Sequence, residues 1–165
     1  PAQCTLVPDA PDQRTSDHGW DLSLHGPRLR PIISDLRDRG MRVSLFMDPD
    51  PTTIGAAAGV GADRIEIYTE PYAEAFGTTN QEAMTEAWVA CADEAERAGL
   101  GVNAGHDLNL ENLPTLCHCV PNLLEVSIGH ALSADALKFG LHATVKAYLE
   151  ALTPDHQCAP YGKLE

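Results

Sequence analysis

Two Gly-His pairs close short apolar segments of this chain. Gly105-His106 follows Val102-Asn103-Ala104, and Gly129-His130 follows Val126-Ser127-Ile128. A strand ending in Gly-His presents an imidazole beside unobstructed backbone N–H groups. Imidazole is the side chain best suited to proton transfer near neutral pH. Gly129 lets a ligand approach the main chain, and a helix is expected to start close by; that pairing suits a phosphate. Glu66 lies in Ile65-Glu66-Ile67, where apolar neighbours claim one face and the carboxylate the other. If that face is interior, the carboxylate must be paired, protonated or catalytic. If the face meets solvent, it needs no partner.

Thr15 and Ser16 lie in a long segment, Asp9 to Gly26, whose hydroxyls could hold a substrate or simply be solvated. Glu70 follows Glu66 in the next loop. Cys117-His118-Cys119 lacks the second ligand pair of a zinc site and reads as the packed end of a helix, so no metal is expected. Asp48 and Asp50 flank a proline after a strand, where helix capping accounts for them. His18 and His25 read as loop residues without an evident partner.

Five strand-like segments must position these groups. They are Gln3 to Val7, Met41 to Met47, Arg64 to Tyr68, Leu100 to Ala104 and Leu123 to Ile128. Helical patterns alternate with them. Arg28 to Arg39 places Leu29, Ile32, Ile33 and Leu36 on one face. A second helix opens at Asp50-Pro51 and ends near Gly61. Gln81 to Ala98 is the longest, a short stretch surrounds Leu110 to Leu113, and Ser133 to Leu152 is the last, with Ser133 as its N-cap. Residues 1–152 read as one domain and 153–165 as a polar tail. Repeated β-α units predict a parallel sheet with right-handed crossovers. A doubly wound sheet and part of a (β/α)8 TIM barrel both fit. No glycine-rich dinucleotide fingerprint follows any strand, which favours the barrel. A complete barrel takes about 250 residues, so five units make a partial one.

The net charge of −13 argues against nucleic acid as a partner. No apolar run is long enough for a membrane span. The five cysteines, Cys4, Cys91, Cys117, Cys119 and Cys158, are scattered, and no basic segment with an apolar run opens the sequence. A cytoplasmic protein with reduced thiols is expected.

Taken in order, Val43-Ser44-Leu45-Phe46-Met47-Asp48, Ile65-Glu66-Ile67-Tyr68-Thr69, Val102 to Leu108 and Ile128-Gly129-His130-Ala131 resemble successive signatures of the pyridoxine 5′-phosphate synthase family. Leu6-Val7-Pro8 with Thr15 resembles that family's fourth strand and loop. The resemblance runs from Pro1 to about Leu152. It implies a (β/α)8 barrel that condenses 1-deoxy-D-xylulose 5-phosphate with 3-amino-2-oxopropyl phosphate, giving pyridoxine 5′-phosphate, phosphate and water. It implies no metal or organic cofactor, small phosphorylated substrates as partners, and a homo-oligomer, an octamer in the family. By the same resemblance His106 is the proton donor and Glu66 stabilises charge in the transition state. Thr15, Asp107, Gly129 and His130 bind substrate, the last two near a phosphate. Asp107 stands where some members have glycine, so its contact must use the backbone N–H.

The family's first three strands carry an Asn-x-Asp-His segment, a His-x-Arg motif and a second catalytic glutamate, none of which matches here. The expectation is a C-terminal five-eighths of the barrel, inactive alone. Two alternatives stand beside it: another phosphate-binding barrel enzyme, and a non-catalytic partial barrel that binds phosphorylated ligands. Schiff-base chemistry needs a strand lysine, and Lys138, Lys146 and Lys163 all fall in the last helix or the tail.

Overall fold

A computed structural model describes residues 1–13, 15–120 and 122–153. The elements run β1 (Gln3–Leu6), α1 (Leu22–Asp38), β2 (Arg42–Met47), α2 (Pro51–Gly59), β3 (Arg64–Tyr68), α3 (Glu70–Ala75), α4 (Gln81–Arg97), β4 (Gly101–Gly105), α5 (Leu113–Cys119), β5 (Leu123–Ser127), α6 (His130–Phe139) and α7 (Leu141–Ala151). The strands form one parallel sheet in the order β1-β2-β3-β4-β5. All five expected strands are present.

Strand alternation divides the sheet. Val43, Leu45, Met47, Ile65, Ile67, Val102 and Ala104 turn outward and form the core with Ile33, Ile54, Trp88 and Leu116 from the helices. Ser44, Phe46, Glu66, Tyr68 and Asn103 belong to the opposite, concave face. The sheet is strongly curled. Neighbouring strands lie about 4.8 Å apart, so a flat sheet would separate edge strands β1 and β5 by about 19 Å. Yet Gln3 Nε2 of β1 donates to Glu125 Oε1 of β5 at 3.1 Å. Arg42 bonds Gln3, and Arg64 reaches both Asn103 Oδ1 (2.9 Å) and Glu125 (3.3 Å). These side chains make a polar floor at the amino ends of the strands. A register shift between Val102 and Asn103 bends the β4-β5 pair.

Several expectations are corrected. Helix α1 begins at Leu22, not Arg28. Asp21 caps it by accepting from Ser23 N and Leu24 N, and the helix then passes through Pro27 and Pro31. His25 is therefore helical, and the loop after β1 ends at Asp21. Ile32 is exposed, while Leu29 and Ile33 are buried and Leu36 packs against the core beside them. Helix α3 was not anticipated; Pro71 at its first turn is the signal that marks it. The stretch near Leu110 to Leu113 resolves into α5, which starts at Leu113. The last helix is two helices, because Gly140 adopts φ 84°, ψ 143° between them. Its N-cap is Gly129 rather than Ser133, and Ser133 N donates to the Gly129 carbonyl within the first turn of α6. Asp50 caps α2 as expected, but Asp48 accepts from Gly19 N at 2.8 Å. His18 does have a partner: its Nδ1 lies 2.5 Å from Asp17. Residues 154–165, most of the expected tail, lie outside the described residues. Among the described residues no helix is long and apolar enough to cross a membrane.

Candidate active site

An open cleft of about 830 Å³ lies at the carboxyl ends of the strands. In α/β sheets ligands bind at this end. The cleft is lined by Thr15 and Ser16 from the loop after β1, and by Tyr68 and Glu70 at the end of β3. His106 to Asn109 follow from β4, and Ser127 to Ala131 from β5. Thr15, His106, Asp107, Gly129 and His130 thus share one wall system, although they come from three separate loops. Among its described lining residues there is no lysine or arginine.

The loop after β1 is buttoned onto β2. A Cβ on Gly19 would lie 2.2 Å from Asp48 N, so only glycine fits against that backbone. Trp20 N donates to the Phe46 carbonyl (2.9 Å) and Trp20 Nε1 to that of Leu6 (2.9 Å). Ser16 is buried and its hydroxyl bonds Asp9 Oδ2 at 2.7 Å. These ties carry Thr15 to the rim, where its side chain is exposed.

His106 follows β4 in a left-handed turn. Its φ is 75° and that of Asp107 is 51°. Non-glycine residues there cost on the order of 1–3 kcal/mol each and persist only when their surroundings enforce the conformation. The imidazole lies 5.1 Å from the Phe46 ring and 6.0 Å, edge on, from that of Tyr68. Its Nδ1 is buried and has no hydrogen-bond partner among the described residues. Asp107 is exposed.

Glu66 belongs to the concave face, 6% exposed, in register with Phe46 and Asn103. The Thr5 hydroxyl donates to its Oε2 at 3.2 Å. Burial pushes its carboxyl above the ordinary carboxylate range, while the Thr5 bond and nearby His106 oppose the shift and Glu125 adds to it. Of the two readings of this strand, the interior one holds. Glu70 opens α3, and the Tyr68 hydroxyl donates to it.

His130 is the first residue of α6 and is exposed to the cleft side. No side chain caps this helix end, which leaves its first N–H groups for a ligand. Gly129 has φ −108°, and a Cβ there would meet nothing within 4 Å. The fold therefore does not require glycine at 129.

A larger groove, about 960 Å³, lies outside between α4 and α5, beside Glu82, Glu86, Asp93 and His118. It shares no lining residue with the cleft, and among the described residues no three metal-ligand side chains converge anywhere. Cys117 of the Cys-His-Cys segment packs into the core at the end of α5.

The profile of the family described as pyridoxal phosphate biosynthesis protein PdxJ matches residues 1–154. The chain belongs to this family. Among relatives named pyridoxine 5′-phosphate synthase, that of Albidiferax ferrireducens is 53% identical over 150 residues, covering 91% of this chain and 60% of its own. That of Brucella anthropi is 48% identical over 157 residues, covering 92% and 62%. The chain thus spans about 60% of the length of these PdxJ relatives. The crystal structure of the Amycolatopsis orientalis BexX/CysO complex contains a chain of similar fold, with TM-score 0.51 at 18% identity, covering 92% of this chain and 57% of that one. This last likeness concerns the fold alone.

Sequence reasoning did not single out Tyr68, Asn109, Thr69 or Asn112. The first two line the cleft; Thr69 and Asn112 hold its turn from behind. Their places at and just past the end of β3 were the available signal for Tyr68 and Thr69. Asn112 gave none, because its role depends on a turn whose shape appears only in three dimensions.

Proposed function

We propose that the protein carrying this chain condenses 1-deoxy-D-xylulose 5-phosphate with 3-amino-2-oxopropyl phosphate to form pyridoxine 5′-phosphate, phosphate and water. One observation carries this reading in a PdxJ chain: Thr15, His106, Asp107, Gly129 and His130 line a single cleft at the strand ends. The fold behind it is a partial TIM barrel, whose curled sheet surrounds a polar interior.

The chemistry is imine formation, dehydration, loss of phosphate and ring closure, each of which needs protons delivered or removed as its C–N, C–C or C–O bond forms or breaks. His106 is the proton donor. Its ring is wedged against Phe46 and Tyr68, so it keeps one orientation. Glu66 supplies negative charge to cationic intermediates from a poorly solvated position, where electrostatic stabilisation is strong. The uncapped amino end of α6, with Gly129 and His130, holds a phosphate. Backbone N–H groups and imidazole fit an anion here without a lysine. The Asp107 N–H and the Thr15 hydroxyl take the sugar end of the substrate. No metal or organic cofactor enters these steps.

Two charged phosphate esters as substrates go with a cytoplasmic location. Association of further copies is part of the same reading; exposed Leu137, Leu141 and Leu149 supply apolar surface for it.

The test is to mix the native protein with both substrates and follow pyridoxine 5′-phosphate by mass spectrometry. Product formation supports the reading. Absence of product from folded, substrate-saturated protein overturns it.

A further inference from the structure

We propose that Thr69 is a positioning residue for His106, acting through the backbone of the turn that carries the imidazole. The proposal rests on the proton-donor reading of His106. Thr69 is fully buried, so it touches no substrate. It occupies the N-cap position of α3, where threonine ordinarily bonds the first N–H groups of its own helix. Here it makes no such cap bond. Its hydroxyl instead turns to the neighbouring strand end and is shared between the carbonyls of Gly105 and His106. Asn112, also buried, takes the next carbonyl, with its Nδ2 donating to Asp107 O at 3.1 Å.

Three successive carbonyls, at 105, 106 and 107, are thus held by two side chains, Thr69 from the end of β3 and Asn112 from the far end of the loop that His106 itself begins. Two of these carbonyls belong to the left-handed pair His106 and Asp107, and the third to Gly105 just before it. A left-handed non-glycine pair does not hold itself; it needs such external bonds. Asn112 is itself anchored, since its Oδ1 accepts from Asn109 N (2.9 Å) and its carbonyl from the Tyr72 hydroxyl (2.8 Å). The Thr69 carbonyl accepts from Ala73 N at 2.9 Å in the first turn of α3, a bond that a side-chain substitution leaves in place, so Thr69 is the residue to test.

In the native protein, Thr69→Val keeps the shape and removes the donor, and Thr69→Ser restores the donor. Misplacing a reacting group by about 1 Å costs up to about 100-fold, so Thr69→Val is expected to lower kcat by about 10–100-fold. KM should stay within about threefold and Thr69→Ser should recover most of kcat, as for a group that matters only in the transition state. The His106 ring resonances, read by NMR without substrate, should move in Thr69→Val and return in Thr69→Ser. Wild-type kcat with unmoved His106 resonances in folded Thr69→Val overturns the proposal. So does a fall in kcat matched by lost thermal stability with those resonances unmoved. If Thr69→Val does not fold, Thr69→Ala carries the same comparison. If the wild-type protein makes no product, the functional reading fails, and the resonance comparison alone decides the positioning claim.

Discussion

A Cβ placed on Gly105 would lie 2.2 Å from Glu66 Oε1 and 3.0 Å from its Cδ. The glycine of the first Gly-His pair therefore makes room for the buried carboxylate on the adjacent strand. Its own φ is not left-handed, so its conformation places no demand for glycine. Gly105→Ala should push the Glu66 carboxylate off the Thr5 hydroxyl while leaving the backbone in place. The flexible end of the glutamate can yield, so the cost to folding should stay near 1 kcal/mol, within the ordinary range for single substitutions. Activity should fall further, by about 10-fold or more, since a displaced charge stabilises the transition state poorly. Denaturant midpoints and kcat/KM on the same samples separate the two effects.

Glu66 also sets a pH dependence. Burial raises its folded-state pKa above the ordinary 4.5. For an acid raised in the folded state, the folded chain binds the proton more tightly than the unfolded chain. The associated stability is present below the unfolded pKa and is lost as pH rises through the folded one. Glu66→Gln cannot ionise. Its stability relative to wild type should therefore rise as pH climbs from about 4 toward neutrality. Thermal unfolding of both proteins across that range checks the sign; a difference that shrinks over the same interval would contradict the assignment.

Two glycines in the C-terminal part should behave oppositely. Gly140 has φ 84° and breaks the path from α6 to α7. Gly140→Ala should cost on the order of 1–3 kcal/mol without touching the cleft. Gly129 has ordinary φ and open space around it. Gly129→Ala should change stability by no more than about 0.5 kcal/mol. It should nevertheless weaken binding of phosphorylated substrate, because a methyl would stand where the ligand meets backbone. Calorimetric titration with 1-deoxy-D-xylulose 5-phosphate and urea melts distinguish these outcomes.

Cys91 is fully buried, and burial pushes its thiol up to about 12. Thiolate is the reactive form. Brief alkylation of the folded protein at pH 8 should spare Cys91 and modify the half-buried Cys4 and Cys119 first; peptide mass mapping reads the order. Early modification of Cys91 would show that α4 opens readily.

The sheet was legible because each strand carries its own short apolar pattern. Ile65-Glu66-Ile67 announced both the core face and the odd carboxylate. The Gly-His pairs marked strand ends, and the cleft lies there. The helices were harder to delimit. Pro27 and Pro31 inside α1 concealed its true start, since proline ordinarily marks a boundary, and the Asp21 cap lies beyond them. Gly140 lies inside the single last helix expected from Ser133 to Leu152, and its backbone angles break that helix in two. The support around His106 was least legible. Thr69 lies 37 residues before His106 and Asn112 six after it. Nothing in either local pattern says that both reach the same turn.

On the proposed function, His106 delivers protons to phosphorylated substrate in this cleft. The most direct test of that role is the rate of pyridoxine 5′-phosphate formation by the native protein and by His106→Ala, with unfolding curves for both. The variant is expected to lose about 10²–10⁴-fold in rate with an unfolding midpoint close to wild type. Turnover by folded His106→Ala at the wild-type rate would contradict that role.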